Sequence, residues 1–161
     1  MLKNREKTNA IRLLDIGKIP YKVHFYESDD FMDGVSVAGK LGIPEDQVYK
    51  TLVVQGKSKE YYVCLIPVID ELDLKKTAKL FREKSVEMIP VKDILKTTGY
   101  VRGGCSPIGM KKKYETVIDQ TALEKKDIYV SGGRLGAQIM IDASDLVNLT
   151  KAVVSDIIVS N

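Results

Sequence analysis

Val48-Tyr49-Lys50-Thr51-Leu52-Val53-Val54, followed by Tyr61-Tyr62-Val63-Cys64-Leu65-Ile66, carries the clearest fold signal in this chain. Both runs are β-branched and aromatic, and only the polar stretch Gln55-Gly56-Lys57-Ser58-Lys59-Glu60 separates them. That combination predicts a β-hairpin of Tyr49–Val54 and Tyr61–Ile66. Side-chain alternation in the first strand puts Lys50 on the same side as Leu52 and Val54.

Upstream of the hairpin, Ala10, Ile11, Leu13 and Leu14 recur at helical spacing up to Ile16, and Gly17 supplies a stop. Tyr21 to Tyr26 then alternates, with Tyr21, Val23 and Phe25 on one side and Lys22, His24 and Tyr26 on the other, which predicts a half-exposed strand. The acidic loop 27–34 leads into a short helix carrying Val35, Ala38 and Leu41 and ending near Gly42. Downstream, Asp73 can cap a helix with Leu74, Ala78 and Phe81 inward and Lys75, Lys79 and Arg82 outward. Short strands are expected at 86–89, 100–101, 116–118, 128–130 and 139–141. A helix at 144–149 precedes the last apolar run, 153–159. Many short strands with scattered helices, without strict β-α alternation, predict an α+β fold built on a mixed sheet or barrel.

The 161 residues contain no repeat, low-complexity tract or Pro/Gly/Ser-rich linker, so one domain over 1–161 is expected. No run reaches the ~18 apolar residues of a membrane span, and the polar start MLKNREKTN has no secretory apolar segment; a cytoplasmic location is expected. Cys64 and Cys105 are too few for a disulfide framework, and one histidine leaves little for a zinc site, so neither metal nor cofactor is expected. A Ser-His-Asp triad would have to use His24. The net charge of +3 fits a polyanionic partner but is far from that of a dedicated nucleic-acid binder.

Three places could carry chemistry. Lys50, if its side of the strand faces inward, is a partly desolvated ammonium able to orient a substrate; a lysine guarding a strand edge is the alternative. Gly103-Gly104-Cys105-Ser106-Pro107-Ile108-Gly109 could aim backbone amides at an oxyanion, or be a tight turn before the solvated Lys111–Lys113 cluster. It is not a phosphate loop, because Met110 stands where the lysine should be. Ser131-Gly132-Gly133-Arg134-Leu135-Gly136 follows a strand and lacks dinucleotide-site spacing. Two glycine loops in one small domain suit a pocket lined by amides. Cys105 reads better as a small turn residue than as a nucleophile, and Cys64 as core.

Taken in order, V-Y-K-T-L-V-V, L-D-L-K-K, T-G-Y-V-R-G-G-C-S-P-I-G-M-K-K and I-Y-V-S-G-G-R-L-G resemble the YbaK/EbsC family. These are stand-alone relatives of the editing domain inserted in bacterial prolyl-tRNA synthetases. The resemblance runs from the first helix to the final strand and is nearer the branch that clears cysteine from proline tRNA than the one that clears alanine. It implies a mixed, nearly closed β-barrel flanked by helices. It implies Lys50 as the functional lysine and Gly103 and Gly104 as the turn facing the aminoacyl ester, shaped by Ser106 and Pro107. Ser131, Gly132, Gly133 and Gly136 would form the opposite wall, with Thr51, the pocket tyrosine Tyr26 and the aromatic Phe31 as further substrate contacts. Gln138 stands where relatives often carry a small or acidic polar residue, which leaves room for altered selectivity.

The chemistry so implied needs no histidine. The substrate is an activated ester, and in the cysteine branch its own thiol attacks its carbonyl and releases a thiolactone. The implied partners are the acceptor end of tRNA(Pro) and, transiently, prolyl-tRNA synthetase. The rival readings are a deacylase for alanine or serine, an inactive RNA-binding module of the same fold, and a thiol enzyme using Cys105 and His24.

Overall fold

The computed structural model describes residues 7–28 and 30–160. Most of the polar start discussed above lies outside them, as does Asp29 of the acidic loop. Among the described residues, α1 (Asn9–Ile16), β1 (Tyr21–Phe25) and α2 (Gly34–Leu41) precede the predicted hairpin, β2 (Tyr49–Gly56) and β3 (Tyr61–Pro67). Then follow α3 (Leu74–Leu80), β4 (Val86–Met88), α4 (Ile94–Thr98), β5 (Glu115–Asp119), β6 (Asp127–Ser131), β7 (Ala137–Asp142), α5 (Ala143–Thr150) and β8 (Val153–Ser155).

The helix ends follow local chemistry. The Thr8 hydroxyl caps α1 by accepting from the Ile11 N–H, and the Asp33 carboxylate caps α2 by accepting from Ser36. Gly42 closes α2 at φ 70°, a left-handed conformation that glycine adopts without a Cβ clash. Asp73 caps α3 as expected, but Leu74 stays exposed and Thr77 takes its inward place beside Ala78.

The strands form two sheets, of order β1-β7-β6 and β4-β2-β3-β5-β8. The larger is mixed: β2 pairs antiparallel with β3 and β4, while β3–β5 and β5–β8 are parallel. The expected α+β class is therefore observed, but the nearly closed barrel is not. Among the described residues the sheets share backbone pairing at one isolated parallel bridge, Val48 to Tyr129, and otherwise meet by side-chain packing. Before Val48 the chain turns into the 3₁₀ segment Glu45–Gln47, and beyond it β2 pairs with β3 on one edge and with β4 on the other, so the contact with β6 does not grow into a ladder.

The main core includes Ile11 and Leu14 of α1, Val53 and Leu65 of the hairpin, and Ile128 and Ile139 of the smaller sheet. A second layer, with Val54, Cys64 and Ile66, covers the far face of β2–β3 and packs on Ala78 of α3. Burial on both faces explains why β3 reads as a continuous apolar run. Two local expectations need correction. Phe25 is exposed rather than sharing the inward face of Tyr21 and Val23. Tyr100–Val101 is not a strand: the Tyr100 hydroxyl donates to the Ile108 carbonyl at 2.6 Å and folds the loop back on itself.

Candidate active site

A cavity of about 400 Å³ opens where β2, the ends of β6 and β7, the start of α2 and the loop after α4 converge. Strand register does much of the positioning. Ser131 and Gln138 are direct partners across β6–β7, so their side chains share one face of the sheet and both reach the cavity. Lys50, Thr51, Phe31 and Gly103 also line it. Six residues singled out in sequences more than 100 positions apart thus meet around one space.

The polar groups in this cavity are incompletely partnered. Gln138 is 6% exposed, yet its side-chain oxygen has no hydrogen-bond partner among the described residues, and the buried Thr51 hydroxyl oxygen has none either. Unpaired buried polar atoms each cost roughly 1–3 kcal/mol, so they mark places where a ligand supplies what the protein does not. Ser131 Oγ accepts from the Gly133 N–H at 3.2 Å and keeps its own proton to donate. Lys50 is half-buried, and the ion pairs among the described residues join other lysines, Lys7, Lys76 and Lys96, to carboxylates.

The remaining sequence-selected residues build the walls without bordering the space. Gly104 packs against the other glycine loop: a Cβ there would stand 2.7 Å from the Arg134 Cα. Its N–H is taken by the Val101 carbonyl at 2.9 Å, so only the Gly103 amide of this pair lacks a backbone acceptor among the described residues. Ser106 is fully buried and accepts from the Ile108 N–H, holding the turn. Pro107 lines a second cavity, bordered also by Leu13 and Tyr114. Gly132 donates to Ala137, and its carbonyl accepts from the Thr8 hydroxyl at 2.6 Å, which pins the loop to α1. Gly133 and Gly136 take φ of 100° and 86°, and the Tyr26 N–H bonds the Gly136 carbonyl. Tyr26 thus braces this loop through its backbone and is not among the residues that line the cavity.

Cys105 borders the cavity, but burial pushes its thiol up to about 11, away from the nucleophilic thiolate. His24 lies on β1 with its ring edge-on to Tyr129, 5.3 Å between centroids, and does not line the cavity. No Cys-His couple is assembled there. Among the described residues no three His, Cys, Asp or Glu side chains gather as a metal-ligand group.

Sequence reasoning missed Arg102, whose guanidinium lies 3.8 Å above the Phe31 ring at the cavity mouth. It also missed Asp33 and the apolar wall of Val37, Val68 and Ile89. Arg102 adjoins Gly103-Gly104, which was the available signal; the wall comes from separate segments with no shared periodicity.

This arrangement, a mixed α+β frame around a cavity with an unpaired lysine and a glycine turn, belongs to a known class. Residues 31–149 match the aminoacyl-tRNA editing domain, and the chain is a member of that family. It is 44% identical over 156 residues to EbsC of Enterococcus faecalis, assigned as a Cys-tRNA(Pro)/Cys-tRNA(Cys) deacylase, covering 96% of this chain and 95% of that one. It is 30% identical over 96 residues to a proline–tRNA ligase of Fervidobacterium nodosum, covering 60% of this chain but 16% of the ligase. Among solved structures, the hypothetical protein APE2540 superposes with a TM-score of 0.85 at 24% identity, covering 94% of this chain and 100% of that one. A protein assigned as a trans-editing enzyme for prolyl tRNA synthetase superposes with a TM-score of 0.81 at 23% identity, covering 94% and 93%. These two likenesses establish the shared fold.

Proposed function

We propose that this chain, acting as a single domain over 1–161, is a trans-editing deacylase that removes cysteine from mischarged tRNA(Pro). The observation that carries this reading is the cavity itself, where a half-buried Lys50 and a Gly103 amide, both without a partner among the described residues, stand beside Thr51 and Gln138 oxygens that likewise lack one there. The 44% identity to the EbsC deacylase supports the choice of substrate class.

In this mechanism the substrate sulfur attacks the ester carbonyl carbon. The carbon–oxygen bond to the ribose breaks, the thiol proton passes to the departing ribose oxygen, and water later opens the thiolactone to cysteine. The protein supplies placement and charge. Lys50 anchors the terminal adenosine or its phosphate, while the Gly103 N–H faces the oxyanion as charge develops there. Proline has no thiol and cannot follow this path. That distinction matters because one methylene of difference is worth only ~1–3 kcal/mol in a synthetase pocket.

The exposed Lys112 and Lys113, with Lys151, line the second cavity of about 530 Å³, and these lysines give the tRNA backbone a cationic surface. Prolyl-tRNA synthetase would deliver the tRNA in a transient complex, in the cytoplasm. No helix among the described residues is long and apolar enough to cross a membrane.

The test is hydrolysis of tRNA(Pro) charged separately with cysteine, alanine, serine and proline, with Lys50→Met alongside. Loss of cysteine alone, slowed ~100-fold by the substitution through misplacement of the ester, is expected. Hydrolysis of alanine or serine would replace the thiol-assisted mechanism with one in which water attacks. No hydrolysis of any ester would leave an RNA-binding module.

A further inference from the structure

The mouth of the cavity is unusual in what it exposes. Phe31, Val35, Met88 and Val91 are each 40–55% exposed and all border this one opening. Isolated exposed apolar side chains need no explanation, but four gathered around a cavity form a patch that meets something apolar. The Arg102 guanidinium lies over the Phe31 ring at 3.8 Å, with no carboxylate paired to it among the described residues. Asp33 is the acidic side chain at this opening, and its carboxylate is engaged in capping α2 through the Ser36 N–H.

The chain geometry around this pair is specific. Gly103 sits at φ 84°, and a Cβ there would lie 2.7 Å from Leu135 and 3.1 Å from the Phe31 ring. Glycine at 103 is thus what lets the loop lie against Phe31 and place the neighbouring Arg102 across the ring. The result is an exposed guanidinium, a group planar by its chemistry, lying over an aromatic ring. A cavity of about 400 Å³ is also larger than one small aminoacyl group needs, so part of what it receives is the group to which that residue is attached.

We propose that the Phe31–Arg102 stack is the seat of the terminal nucleobase of the tRNA, which adds a third layer on the outer face of the guanidinium. Arg102 and Phe31 are positioning residues: they hold the 3′ nucleoside so that the ester it carries enters the cavity beside Lys50. The flat guanidinium suits a base face, the apolar rim shields the base edge, and the charge suits the adjoining phosphate. The proposal rests on the deacylase reading for the identity of the nucleic acid.

The test measures binding of uncharged tRNA(Pro) ending in adenosine against the same RNA ending in an abasic sugar, so that no hydrolysis is involved. The intact protein is expected to bind the adenosine-ended RNA ~5- to 150-fold more tightly, the range for one stacked base. Phe31→Ala and Arg102→Ala should bring that ratio towards one. Arg102→Lys, which keeps the charge and loses the plane, should also lower the ratio while leaving abasic affinity near that of the intact protein. A ratio of one in the intact protein overturns the proposal, as does a ratio that Arg102→Lys and Phe31→Ala leave unchanged. Both side chains are exposed, and matching thermal unfolding of the variants confirms that they fold. A base preference that depends on Arg102, in a protein that hydrolyses no ester, would sink the deacylase reading and leave the nucleobase seat standing.

Discussion

Replacing Gln138 by methionine keeps the side chain's length and removes the oxygen that has no partner in the cavity. Because an unsatisfied buried polar atom destabilises the free protein, Gln138→Met should raise stability to denaturant by ~1 kcal/mol while lowering kcat/KM for the aminoacyl ester. Loss of both would mean that the oxygen has a structural partner and no role with substrate. Cys105 makes the opposite case, since it borders the cavity yet burial holds its thiol protonated up to about 11. Cys105→Ala should retain deacylation, and the rate between pH 6 and 9 should show no inflection that the substitution removes. The thiol's ordinary value is 9.0, so between about 9 and about 11 the unfolded chain loses a proton that the folded chain keeps. The folded protein therefore binds more protons in that window and its stability falls as pH rises, a decline that Cys105→Ala should lessen in unfolding titrations at pH 8 to 11.

At the level of elements, the two glycine loops act as one structure. Gly104 lies against the Arg134 backbone, Gly103 against Leu135, and Gly132 is held to α1 through Thr8. Gly104→Ala forces a carbon to within 2.7 Å of the Arg134 Cα, where backbone rather than a flexible side-chain tip must yield. The expected cost is ~1–3 kcal/mol from overpacking, with a fall in activity because Gly103 moves with its neighbour. Equilibrium unfolding and steady-state kinetics on the same variant check both halves. Wild-type stability in that variant would show that the loops adjust independently.

Across the whole molecule, net charge is only +3, so affinity for tRNA must come from where the cations sit rather than from their number. Lys112 and Lys113 line the second cavity, whereas Lys50 lines the first. If both meet phosphates, Lys112→Ala with Lys113→Ala should reduce the slope of log affinity against log salt by roughly 1.5, from counterion release at two sites. Turnover of a minimal cysteinyl-adenosine ester should be unaffected. An unchanged salt slope would return these lysines to a solvated face.

Local chemistry already spelled out the hairpin Tyr49–Val54 and Tyr61–Ile66, the stop at Gly42, the cap at Asp73 and the strands of β6 and β7, because propensity, alternation and capping act within a few residues. The candidate site was legible to the same depth: Lys50, Gly103 and Ser131 could be picked out from residue type and local pattern, Gln138 came only with the family resemblance, and all four do meet in one cavity. Two kinds of fact lay beyond that reach. The number and closure of the sheets depend on pairings between distant segments, such as the parallel β3–β5 ladder and the lone Val48–Tyr129 bridge, which replaced the expected barrel with two sheets. Which amides and side chains face the cavity depends on who else claims them. Gly104 donates to Val101, Gly132 to Ala137, and Tyr26 braces Gly136. The Arg102–Phe31 stack likewise joins loops 71 residues apart in the chain (102 minus 31), a contact made by packing that no periodicity announces.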